Sequence, residues 1–203
     1  MLISYQTPRF LFVHVYKAAG KSVTAALEAC GQRAPRDNIF APDHTQHVSA
    51  RSLKAALPAE VWEQSFKFAF VRNPWDRLLS LYEFIRAREA NRDHELVCSL
   101  GSFRSFVEWM CSARDAEVPI KRSQADLVMA EDGAPLLDFV GRFEHLARDF
   151  SEVCRRLGVQ MELPHVNQTP HAPYQQAYDA VARDRVSDWY AAEIECFGYT
   201  FGG

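Results

Sequence analysis

Phe10-Leu-Phe-Val-His-Val-Tyr-Lys-Ala-Ala-Gly-Lys-Ser22 is the stretch that decides the fold. Phe10 to Val15 is an apolar run interrupted by one histidine. A short continuous run of this kind predicts a strand buried on both faces, as in a parallel sheet. Tyr16 to Ser22 then forms a turn of small and cationic residues, and Val23 to Cys30 is expected to be helical. A strand that passes through a small-residue turn into a helix makes an anion site. Small side chains let backbone N–H groups converge, and the new helix N-terminus adds partial positive charge. Lys17 and Lys21 add full charges. Phosphate or sulfate binding at this turn is the first expectation.

A second strand is predicted at Phe66-Lys-Phe-Ala-Phe-Val71, ended by Arg72-Asn73-Pro74. Asn73 suits a helix cap and Pro74 the first helical position. From Trp75 to Arg92 the apolar residues Leu78, Leu81, Tyr82 and Ile85 recur at helical spacing and are expected in the core. Short helices are expected at Ala50–Ala56 behind Ser49, at Pro58–Gln64 and at Ser102–Ser112. Leu127–Ala130 and Pro135–Val140 flank the turn signal Glu131-Asp-Gly133, which predicts a hairpin or strand pair. Glu144–Leu157 reads as an amphipathic helix stopped by Gly158, with Phe143, Leu146 and Phe150 on its core side. The three prolines of Leu163–Pro173 deny that segment a helix. Ala177–Phe197 is expected to close the chain as a long helix with a break, followed by Gly198. Alternating strands and helices imply an α/β fold in three layers, a mostly parallel central sheet flanked by helices. Ligands in such sheets bind outside the strand C-termini, where both cationic turns lie.

With 203 residues the chain fits a single domain, residues 1–203. A formal net charge of −3 argues against a nucleic-acid partner. No stretch approaches the ~20 apolar residues of a membrane span. The N-terminus has no basic region or cleavage site, so no signal peptide is expected. Five scattered cysteines without a C-x-x-C pair suit reduced thiols and no zinc. These features point to a cytoplasmic protein.

The end of the first turn, Gly20-Lys21-Ser22, suggests a P-loop kinase, but such a loop needs G-x-x-x-x-G-K-S/T and Val15 stands at its first glycine position. Triphosphate users of that kind also need an acidic residue on a neighbouring strand to hold magnesium. The second strand ends instead in Arg72, a cation that cannot ligate a metal and that suits a second anionic group. A nucleotide with two separated anionic ends, bound without metal, is the expectation. The kinase, or a non-catalytic nucleotide-binding module, is the alternative.

Phe12–Ser22 resembles the phosphosulfate-binding loop of sulfotransferases. Phe66–Tyr82 resembles their R-x-P-x-x-R-x-x-S element, and Gly141–Leu146, Asp149-Phe150 and Leu163–Asn167 resemble later segments of the carbohydrate-type, family 2 members. Tyr16 stands where that loop usually has proline, and Lys21 where many members have threonine. The resemblance implies the P-loop-NTPase-like sulfotransferase fold. It also implies transfer of a sulfuryl group from 3′-phosphoadenosine 5′-phosphosulfate (PAPS) to a hydroxyl or amine of a glycan, lipid or small-molecule acceptor, with no metal. The absent anchor separates the chain from Golgi-type relatives and suggests a bacterial enzyme. By the same resemblance Lys17 would neutralise the oxygen bridging phosphate and sulfuryl group. Ala18, Ala19, Gly20, Lys21 and Ser22 would hold the 5′-phosphate. Arg72 and Ser80 would hold the 3′-phosphate, with Arg77 three residues from Ser80 on the same face. His47, in His47-Val-Ser-Ala, matches the segment in which heparan-type relatives carry their catalytic histidine, although Gln46 replaces their glycine. His44 is the reserve base, and His14 is expected in the core. His165, His171 and Tyr174 lie in a loop that could close over nucleotide or acceptor.

Overall fold

A computed structural model of the chain describes residues 1–28, 47–112, 119–164 and 172–203. Among the described residues the architecture is α/β, with a four-stranded, mostly parallel sheet in the order β1 (Leu2–Ser4), β2 (Phe10–Val13), β3 (Phe66–Val71), β4 (Phe139–Arg142) and flanking helices. Two compact units form: Met1–Val71 with Gln124–Asn167, and Arg72–Ser123 with Gln168–Gly203.

The first unit holds the sheet. β2 (Phe10–Val13) and β3 (Phe66–Val71) are the strands expected from their apolar runs, and they pair in parallel with Val13 opposite Ala69. Phe10, Phe12, Phe68 and Phe70 are all buried between them and the layers above and below. Each such ring contributes about 1.5–3 kcal/mol by leaving water, so this stack is the main support of the sheet. β1 (Leu2–Ser4) runs antiparallel along β2, an edge strand too short to stand out in the sequence. β4 (Phe139–Arg142) adds in parallel to β3. Gly141 is required there, because a Cβ would lie 2.6 Å from Cε1 of Phe70. The one cation inside β3, Lys67, is satisfied by Asp138 Oδ2 at 2.9 Å and by the Trp62 and Ser65 carbonyls. α1 (Gly20–Leu27), α2 (Ala50–Ala56), α3 (Ala59–Gln64), α7 (Gln124–Val128) and α8 (Leu146–Leu157) complete this unit. Gly158 ends α8 in the left-handed conformation at φ 68°.

The second unit is helical: α4 (Pro74–Arg86), α5 (His94–Ser99), α6 (Phe103–Met110), α9 (Ala180–Trp189) and α10 (Ala191–Phe197). Its core carries Trp75, Leu78, Leu81, Tyr82 and Ile85 of α4, with Phe106, Val107 and Met110 of α6. Tyr82 packs on Phe103 and Phe106, and Tyr178 meets Phe103 and Phe201 edge-on.

Several sequence expectations are corrected here. The hairpin at 127–140 does not form: Leu127 and Val128 belong to α7, and only an isolated bridge joins Met129 to Pro135 around the Gly133 turn. Phe139 and Val140 pair instead with Phe68 and Ala69 of β3. The helix from Trp75 stops at Arg86, where the apolar spacing ends, and not at Arg92; Asn91 Oδ1 accepts from Asp93 N to start the separate helix α5. α1 begins three residues earlier than expected, at Gly20. The closing helix breaks at Tyr190. Phe150 is buried, whereas Phe143 and Leu146 are half-buried.

Candidate functional site

The turn between β2 and α1 has an uncommon backbone. Lys17 lies at φ 60° and Ala19 at φ 61°, both left-handed without being glycine. Each such residue costs on the order of 1–3 kcal/mol and persists where the surroundings impose it, commonly at a binding site. Left-handed positions alternating along a turn point successive N–H groups into one concavity that suits an anion. Ala19 is the N-cap of α1 and has no side chain to cap it, so the helix start is shaped for an external acceptor. Ala18, Gly20 and Ser22 are buried, Lys17 and Ala19 half-buried, and Lys21 exposed.

His14 forms the back wall of this turn. A Cβ on Gly20 would fall inside its imidazole, against Cδ2 and Nε2, so only glycine fits there. The ring is buried, and burial, then the nearby His47 and Lys21, holds its pKa well below the usual histidine value. His14 therefore stays neutral, as a core histidine should.

His47 sits against the same turn. Its Nδ1 is 2.8 Å from the His14 carbonyl. A carbonyl only accepts, so Nδ1 carries a proton and Nε2 is the ring nitrogen that can lose or gain one. Its face stacks on Tyr16 with centroids 3.3 Å apart, and its ring meets His14 at 4.6 Å. An imidazole whose Nδ1–H is held this way presents Nε2 as the atom for proton transfer.

The second cationic element lies in the other unit. Arg72 follows β3 directly, and its side chain is 7% exposed, so a solvated surface role is excluded. Its Nε donates to Asp76 Oδ2 at 2.8 Å, one turn on in α4, which sets the plane of the guanidinium. Asn73 caps α4 through Oδ1 to Trp75 N at 3.1 Å, while its Nδ2 donates to the Thr200 carbonyl at 3.0 Å. Ser80 is buried on α4. Arg77 is also buried, with Glu193 and Tyr190 of the same unit as its neighbours.

One turn of the first unit thus gathers Lys17, Ala18, Ala19, Gly20, Lys21 and Ser22, with His47 beside it; Arg72 and Ser80 belong to α4 and the residues before it. His44, His165 and His171 lie outside the described residues. Tyr174 accepts from Gly202 N at 2.7 Å within the second unit. One partner was not assigned from sequence: the Tyr16–His47 stack joins residues far apart in the chain and leaves no local signal. The pairing of Arg72 with Asp76, the structural alternative that the i,i+4 spacing offers for Arg72, is present. Among the described residues no group of three or more His, Cys, Asp or Glu could hold a metal ion, and no helix is long and apolar enough to cross a membrane. Comparison with curated proteins gave no match. A family model described as the sulfotransferase family matches residues 2–200.

Proposed function

This chain belongs to the sulfotransferase family, and we propose that it moves a sulfuryl group from PAPS to a hydroxyl or amine of a glycan, lipid or small-molecule acceptor. The match spans residues of both units, which supports the whole chain acting as one sulfotransferase domain. The donor, when bound, supplies an activated sulfuryl group on a phosphate leaving group. The chain's residues supply the rest. Backbone N–H groups of Ala18 to Ser22, the Ser22 hydroxyl and the Lys21 charge hold the 5′-phosphate. Lys17 neutralises charge that builds on the oxygen between phosphate and departing sulfuryl group. Arg72, oriented by Asp76, and Ser80 hold the 3′-phosphate. Fixed side-chain cations take the part that a divalent ion plays for nucleoside triphosphates. His47 takes the acceptor's proton on Nε2 while its Nδ1–H stays on the His14 carbonyl.

The observation that carries this reading is the pair of left-handed residues, Lys17 and Ala19, at the uncapped start of α1, with the Nδ1–H of His47 held on the His14 carbonyl beside them. The test follows labelled sulfuryl groups from PAPS to a panel of hydroxyl and amine acceptors, in EDTA. Transfer by the wild type and its loss by about 100-fold or more in Lys17→Ala, with unfolding midpoint unchanged, is expected, because one preorganised donor is worth that much. Label that stays on the donor with every acceptor, or Lys17→Ala with wild-type turnover, contradicts it.

A further inference from the structure

Arg77 is 1% exposed and Glu193 0% exposed, so both charges lie in the interior of the second unit. Arg77 Nη2 stands 3.7 Å from Glu193 Oε1, beyond hydrogen-bond length. Among the described residues, Arg77 Nε and Nη2 and the Tyr190 hydroxyl have no hydrogen-bond partner. The guanidinium lies over the Tyr190 ring at 5.3 Å. Ser123 Oγ donates to the other carboxylate oxygen, Glu193 Oε2, at 2.6 Å. Three segments therefore meet at one carboxylate: α4 through Arg77, the segment before α7 through Ser123, and α10, which carries Glu193.

Such a pair is a poor way to gain stability. Two charges are desolvated at a separation too long for a hydrogen bond, and apolar residues of similar volume often serve as well or better. What a buried pair does and an apolar contact does not is favour one rotation and one register of the helix that carries it. In α4 that rotation matters in the first two turns. Asp76, the neighbour of Arg77, holds Arg72 Nε, and Ser80 lies three residues beyond Arg77. Turning the helix moves both together.

We propose that Arg77 and Glu193 are a positioning pair, which fixes the rotation of α4 so that Arg72 and Ser80 are presented to the 3′-phosphate of the nucleotide. This rests on the assignment of that phosphate to Arg72 and Ser80 made above. The pair makes no contact with the nucleotide itself. Its function is to hold recognition of the 3′-phosphate, so its removal shows in nucleotide discrimination and not in folding.

The experiment compares binding of adenosine 3′,5′-bisphosphate and AMP, which differ only in the 3′-phosphate, to the wild type and to the double variant Arg77→Met/Glu193→Met. The expected result is a wild type that prefers the bisphosphate, and a folded double variant that keeps its unfolding midpoint and its AMP affinity. The double variant's preference should fall about tenfold, the worth of one charge-assisted hydrogen bond. A folded double variant with wild-type preference overturns the proposal. A wild type that does not distinguish the two nucleotides overturns the Arg72–Ser80 assignment, and the positioning role falls with it. If the double variant does not fold, Glu193→Gln, which keeps the shape and removes the charge, is read in the same assay. A reduced preference in it supports the pair, and an unchanged one overturns it.

Discussion

One residue, His14, explains why glycine stands at position 20 and how the candidate base is held. Its ring occupies the space a Gly20 side chain would need, and its backbone carbonyl accepts a hydrogen bond from His47 Nδ1–H. Because burial and then His47 push the His14 pKa well below its usual value of 6.5, the folded protein refuses a proton that the unfolded chain accepts. The unfolded state binds more protons below that value, so stability is full above it and falls as the pH drops toward the native pKa. Below about pH 6.5 the slope from this one group grows toward a limit of about 1.4 kcal/mol per pH unit. Chemical denaturation from pH 7 down to pH 5 should show wild-type stability falling more steeply than that of a His14→Phe variant, the excess growing as the pH drops; parallel curves contradict it. Lys17, Gly20, Lys21 and Arg72 were legible in the sequence, because a turn between a strand and a helix is a local pattern. The Tyr16–His47 stack was not, since it arises when the fold returns the chain to the same turn.

At the scale of elements, the caps were as legible as the strands. Ser49, Asn73 and Ser102 each accept from a backbone N–H at the start of the helix that follows, as their residue types implied. Asn73 does more than cap. Its amide joins α4 to the Thr200 carbonyl, so one side chain ties the start of the Arg72 helix to the C-terminal segment of its own unit. Asn73→Ala should lower the stability by about 1–2 kcal/mol, a cap plus a part-buried hydrogen bond lost. The urea midpoint measures this, and a loss under about 0.5 kcal/mol, the level of a plain surface change, contradicts it. The failure at residues 127–140 has an equally physical cause. The Gly133 turn is present, with Ala130 N bonded to the Ala134 carbonyl at 2.9 Å. Its flanks, however, go to different partners, α7 on one side and β3 on the other, and pairing with a distant strand carries no mark in the local pattern. The early stop of α4 at Arg86 and the short edge strand β1 belong to the same class, decided by packing and not by propensity.

For the whole molecule, the sheet was readable because β2 is a continuous apolar run and β3 is one broken only by Lys67, and strands buried on both faces announce themselves that way. The family was read from the resemblance of Phe12–Ser22 and Phe66–Tyr82 to sulfotransferase motifs, and the match over residues 2–200 agrees with that resemblance. Under the proposed assignment, a nucleotide with phosphate at both its 5′ and 3′ ends would engage the Lys17 turn and Arg72, whereas ADP would engage only the first. Titration calorimetry in EDTA, with adenosine 3′,5′-bisphosphate against ADP, tests this most directly. The bisphosphate should bind at least about tenfold more tightly, and equally well when magnesium is restored. Equal affinity for the two nucleotides, or ADP binding that appears only with magnesium, would contradict it.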